Sequence, residues 1–141
     1  MRTLILLMVL VPTLSLRAQT AIPPVVQQGL DALGKGQCQD AFDTWTKTWP
    51  EAQKSQMAAS CPALQQFGGE YHGYDILRTT ELTPHLRRVY LVLLYEIQPV
   101  YVMLLVYRPD ERDWRVSTVN WNTDPDKVLP SSLVPPQRPG P

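Results

Sequence analysis

The residues of this 141-residue chain that could do chemistry are few: two cysteines, two histidines, and some acids and tyrosines. Cys38 and Cys61 stand 23 positions apart, each on a stretch with helical periodicity. In an oxidising compartment the expected outcome is an internal disulfide, worth about 2 to 4 kcal/mol if unstrained. The alternative is two buried thiols that never approach, because sequence does not show the Cα atoms within bridging distance. Two cysteines and the distant His72 and His85 lack any metal-ligand spacing, so no metal is expected. In "EYHGYD" Glu70, His72 and Tyr74 fall along one strand, but a histidine beside glycine at a strand start reads as a solvated residue rather than an acid–base catalyst. His85 sits in a "TPH" turn. No Gly-rich phosphate loop opens a helix, and neither HExxH nor Gly-x-Ser-x-Gly occurs, so no cofactor is expected.

What must position these residues is one domain flanked by two atypical ends. The N-terminus has one charge at Arg2, an apolar core from Leu4 to Leu14, and "SLRA" ahead of Gln19. That is the pattern of an export signal over residues 1–18, short for a membrane anchor and without a cysteine for acylation. The protein is therefore expected to be exported, periplasmic or extracellular. Without Arg2 and Arg17 the basic residues fall from 13 to 11 against 13 acidic ones, a balance of minus two. Such a chain has no electrostatic footprint for nucleic acid. Residues 127–141 include "PSSLVPPQRPGP", which reads as a proline-rich disordered tail. Residues 19–126 remain for a single domain.

"VYLVLLYEIQPVYVMLLVY" matches a bilayer in length, yet Glu96, Gln98 and Pro99 fall at its middle. An ionised carboxylate and a missing amide donor are most costly there, so the run is a β-hairpin and not a transmembrane span. Upstream, Val26, Leu30 and Leu33, then Cys38, Phe42, Trp45 and Trp49, then Met57, Cys61 and Leu64 repeat at helical spacing. These predict three short helices, with Pro62 distorting or ending the third. From Tyr71 the period moves toward two, and four strands separated by "TPH", "IQP" and "PDER" predict an antiparallel meander. Helices first and a meander afterwards is an α+β class, with N-terminal helices packed on a curved four-stranded sheet.

Pairing Glu96 with Tyr101 sorts the sheet into two faces. Val89, Leu91 and Leu93 join Val102, Leu104 and Val106 under the helices. The other face collects Tyr90, Val92, Leu94, Tyr101, Met103, Leu105 and Tyr107, with Trp114 and Val116 expected to join them. A one-residue slip near "PDER" would exchange Trp114 for Arg115. This second face is too apolar for plain exposure, so a partner, an apolar ligand or the chain's own helices must cover it.

The segment from about Val25 to Asp126 resembles small exported proteins of the NTF2-like, cystatin-like α+β superfamily. The resemblance rests on Leu30, Gly36, Ala41 and Trp45 in "GLDALGKGQCQDAFDTW", and on Tyr107, Arg108 and Trp114 in "YRPDERDWRV". It implies a cone with a concave sheet face used for dimerisation, ligand binding or catalysis, and fold alone does not choose among these. Asp75 with Tyr90 and Tyr101 resembles in kind the carboxylate and tyrosine equipment of ketosteroid-isomerase-like members. Such a base needs desolvation and a tyrosine hydroxyl aimed at the developing oxyanion. The expected function is a non-enzymatic exported interaction domain whose face of Tyr90, Tyr101, Met103, Tyr107 and Trp114 forms a homodimer or binds another exported protein. The alternatives are a carrier of a small apolar ligand in the sheet concavity, and an isomerase- or hydratase-like enzyme with Asp75 as base.

Overall fold

The computed structural model describes residues 21–134. The expected export signal and residues 135–141 of the expected tail lie outside the described residues. Four helical segments, α1 (Pro24–Gly34), α2 (Cys38–Trp45), α3 (Glu51–Ala58) and α4 (Ser60–Gly68), precede four strands, β1 (Tyr71–Thr83), β2 (Leu86–Tyr95), β3 (Val100–Tyr107) and β4 (Arg115–Asn122). The strands form one antiparallel sheet in the order β1-β2-β3-β4, so the expected α+β class and meander are the observed ones.

Each helix forms where its apolar stripe has somewhere to go. Pro24 lies in the first turn of α1, where a missing N–H costs nothing, and Val26, Leu30 and Leu33 are buried. Gly36 then takes φ 74°, a left-handed conformation that suits glycine, and turns the chain into α2. Ala41, Phe42 and Trp45 are the buried residues of α2. Its end is tied off by the buried Thr46 hydroxyl, which donates to the Phe42 carbonyl at 2.7 Å. The third expected helix is divided at Ala59 into α3, which buries no residue, and α4, which buries Cys61 and Leu64. Pro62 accounts for the break: it has no N–H for the Ala58 carbonyl, and its ring crowds that turn.

Helices α1 and α2 meet at a glycine. A Cβ on Gly29 would overlap the Trp45 indole, so only glycine leaves room for it. Trp45 is 1% exposed, and its Nε1 donates to the Val26 carbonyl at 3.3 Å. A disulfide joins Cys38 at the start of α2 to Cys61 at the start of α4, with Cα atoms 5.9 Å apart, as expected. The helices lie over Val89, Leu91, Leu93, Val100, Val102, Leu104 and Val106, the predicted inner face of the sheet.

The register of the central hairpin differs from the expected one. Val92, not Glu96, opposes Tyr101. The last two residues of β2 run past β3 and pair only with β1, while Glu96 N–H and Ile97 N–H donate to the carbonyls of Glu70 and Gly68, each at 2.8 Å. The shift is four residues, an even number, so every side chain keeps its predicted face.

Strand β4 corrects the sequence reading more deeply. Leu105 opposes Thr118 but Val106 opposes Val116, so Ser117 is the extra residue of a β-bulge. Its hydroxyl donates to the Leu105 carbonyl at 3.1 Å, and the Val116 carbonyl accepts from the Trp49 indole at 2.7 Å. The bulge inverts the alternation beyond it. Val116 and Trp114 go to the helix side and Arg115 takes the place opposite Tyr107, so Trp114 and Val116 are not part of the aromatic face.

Candidate functional site

The outer face of the sheet carries the residues singled out from sequence. Rows across the strands set Asp75, Val92, Tyr101 and Asn122 side by side, then Arg78, Tyr90, Met103 and Asn120, then Thr80, Arg88, Leu105 and Thr118. At the far end Leu86, Tyr107 and Arg115 make the last row. Tyr90, Tyr101, Met103 and Tyr107 therefore do share one face, and Trp114 does not.

Part of this face is covered by the chain itself. After β4 a short 3-10 turn (Pro125–Lys127) sends the backbone back over the sheet, with the Asp124 carboxylate accepting from the Asp126 N–H. Val128 and Leu129 are each 8% exposed and bury Tyr90 to 6%, with Tyr101, Met103, Leu133 and Val134 packed around them. Asn120 donates to the Lys127 carbonyl at 3.4 Å and Arg78 to the Ser132 hydroxyl at 2.9 Å. The expected disordered tail from residue 127 is thus, through Val134, an ordered strap. Proline and serine composition conceals it, since Val128 and Leu129 need only one turn to reach an apolar surface that otherwise faces water. Leu105 and Tyr107, in the Arg88 and Arg115 rows, are half-buried and are not packed against Val128 or Leu129. Leu94, at the opposite end of the face, is 37% exposed.

Asp75 stands where the sequence pairing drew it, on the outer face, but it is exposed. It is two strands, about 10 Å, from Tyr101 with Val92 between them. The Tyr90 hydroxyl accepts from Arg88 Nη1 at 3.3 Å, and Tyr90 itself is buried. The carboxylate and phenols are therefore neither desolvated together nor converged on one point.

On the helix side Trp114 is gripped by two arginines, with the Arg87 guanidinium 4.6 Å and that of Arg108 5.2 Å from its ring centroid. Glu81 pairs with Arg87 at 3.2 Å and Glu111 with Arg108 at 3.5 Å. Beside it a cleft of about 530 Å³ runs between Val25, Trp45, Lys47 and Arg112. A second cleft, of about 420 Å³, is bounded by Cys38, Gln65, Tyr71 and Tyr95. Tyr71 and Tyr95 rings meet edge to face at 5.4 Å, and burial, reinforced by Tyr95 and Tyr74, pushes the Tyr71 hydroxyl up to about 12. Burial likewise raises Tyr95. Between helices and sheet, the apolar space among Phe42, Trp45, Leu64, Leu93 and Trp121 amounts to about 10 Å³, less than a ligand needs. Among the described residues no group of three or more His, Cys, Asp or Glu side chains is placed to hold a metal ion, and no helix is long and apolar enough to cross a membrane.

No protein-family model, curated protein or solved structure matches the chain.

Proposed function

We propose that this protein is an exported, non-enzymatic interaction domain that binds another protein through the outer face of its sheet, on an NTF2-like cone. The observation that carries the reading is the state of that face. The strap packs on Tyr90 and Met103, and beyond them Leu105 and Tyr107 stand half-buried among Thr80, Arg88, Thr118 and Arg115 without contact to Val128 or Leu129. On a strand that merely faced water the outward positions 105 and 107 would be polar, as their neighbours Arg88, Thr118 and Arg115 are. The Cys38–Cys61 disulfide supports an oxidising, exported setting. The exposed, unconverged Asp75 supports a binding role over an isomerase-like one, and the filled space beneath the helices speaks against a ligand carried there.

The test is the size of the native protein recovered from the cells that make it. The chain is 16.0 kDa, and the expected result is a larger complex that collapses to the monomer position with Leu105→Ser and Tyr107→Ser together. A wild-type protein that runs as a monomer, or a complex indifferent to both substitutions, would overturn the reading.

A further inference from the structure

The described arginines divide by face. On the helix side and in the β3–β4 loop each has a carboxylate: Arg87 with Glu81, Arg108 with Glu111, and Arg112 with Asp110 at 2.9 Å. On the outer face Arg78, Arg88 and Arg115 have none within ion-pairing distance among the described residues. Asp75, Asp124 and Asp126, the acids of this face and its strap, pair with none of the three. Arg78 donates to Ser132 and Arg88 only to the Tyr90 hydroxyl, and the buried Nε of Arg88 lacks a partner, as do those of the ion-paired Arg87 and Arg108. Arg88 is half-buried with no carboxylate within ion-pairing distance, a costly state that an anion supplied by a partner relieves. Arg78 is exposed, and Arg115 already acts on the Asp110 carboxyl, helping the Arg112 backbone N–H to hold it below the usual carboxylate range.

The spacing says what kind of anion. Arg78 and Arg88 are on adjacent strands in neighbouring outer rows, about 8 Å apart, and Arg88 and Arg115 are two strands and one row apart, about 12 Å. Three side chains strung diagonally over about 20 Å do not converge on one small anion. Between them stand Leu105 and Tyr107, half-buried and not packed against Val128 or Leu129. The rows that hold Arg88 and Arg115 contain no acid, so an isologous contact through those rows alone would set arginine against arginine. We infer, resting on the interaction reading above, that the arginine row Arg78, Arg88 and Arg115 recognises an extended segment of a different protein in which acidic residues alternate with apolar ones, its carboxylates on the arginines and its apolar side chains on Leu105 and Tyr107.

The experiment has two arms. In the first, Arg88→Gln with Arg115→Gln is assayed for native complex size, its thermal melt by circular dichroism showing that it folds; Arg115→Gln alone serves if the pair does not. In the second, the purified protein is titrated with a capped peptide alternating glutamate and leucine, against its glutamine and leucine counterpart. The expected results are loss of the complex, binding of the glutamate peptide alone, and about a fivefold weakening for each arginine replaced, with further weakening in salt. A complex that survives both substitutions, or a peptide bound equally by wild type and variant, overturns the arginine inference and leaves the interaction reading standing. Full displacement of the peptide by an equal concentration of inorganic phosphate overturns it too, by assigning a small-anion site. If wild type is a monomer the interaction reading fails, and the inference that rests on it fails with it.

Discussion

Replacing Leu129 with serine tests whether the strap is a packed part of the fold. Leu129 is 8% exposed and lies on Tyr90 with Val128, so nearly all of its side chain is removed from water. Burial of a leucine is worth about 1.5 to 3 kcal/mol. Among the described residues the strap is held to the sheet by that patch and by two side-chain hydrogen bonds, from Asn120 and Arg78, so the loss falls on its own docking rather than on the whole domain. A loss of about 2 kcal/mol raises the detached population about thirtyfold. Lys127 supplies the assay, because trypsin cuts after it once the segment leaves the sheet, and in dilute protease the cleavage rate follows the open population. Leu129→Ser is expected to cut about thirtyfold faster than wild type while the denaturant midpoint of the domain hardly moves. Equal rates in wild type and variant, both near that of an unstructured peptide, would refute the argument and return this segment to a free tail.

Three further outcomes follow from the packing. Gly29→Ala gains about 1 kcal/mol of helix propensity but drives a methyl into the Trp45 indole, and the net loss is expected to be about 2 kcal/mol in urea titration; a gain would mean that α1 and α2 do not meet there. Cys38→Ser with Cys61→Ser is expected to cost about 3 kcal/mol, read by the same titration, and no loss would deny the bridge a stabilising role. Tyr71→Phe is expected to gain about 1 kcal/mol near neutrality, since the hydroxyl is buried without a partner. Because the folded protein holds the Tyr71 proton up to about 12 while an unfolded tyrosine releases it near 10, stability is full below pH 10 and falls as pH rises through 12. The advantage of Tyr71→Phe over wild type should therefore widen across that window, and parallel alkaline unfolding curves would contradict it.

Much of this fold is legible in the chain because the signals are local and periodic. The stripes of Val26, Leu30 and Leu33 and of Phe42 and Trp45 need no tertiary information, and an even register error left every face of the central hairpin intact. The site was less legible for three reasons. "RVSTVNW" alternates equally well with or without an extra residue, so the bulge at Ser117 that removes Trp114 from the aromatic face leaves no local mark. Val128 and Leu129 are two apolar residues in proline-rich surroundings, and their burial depends on a surface that distant strands assemble. Which arginines find a carboxylate depends on loop geometry at Asp110 and Glu111, and the unpaired row appears only when strands β1, β2 and β4 are laid side by side.

The most direct measurement is photo-crosslinking in the cells that make the protein, with a photoreactive amino acid in place of Tyr107 on the outer face and, as control, in place of Lys54 on α3. The account predicts one adduct of discrete mass, to a different protein, from position 107 and none from position 54. No adduct from position 107, or the same adducts from both positions, would contradict it.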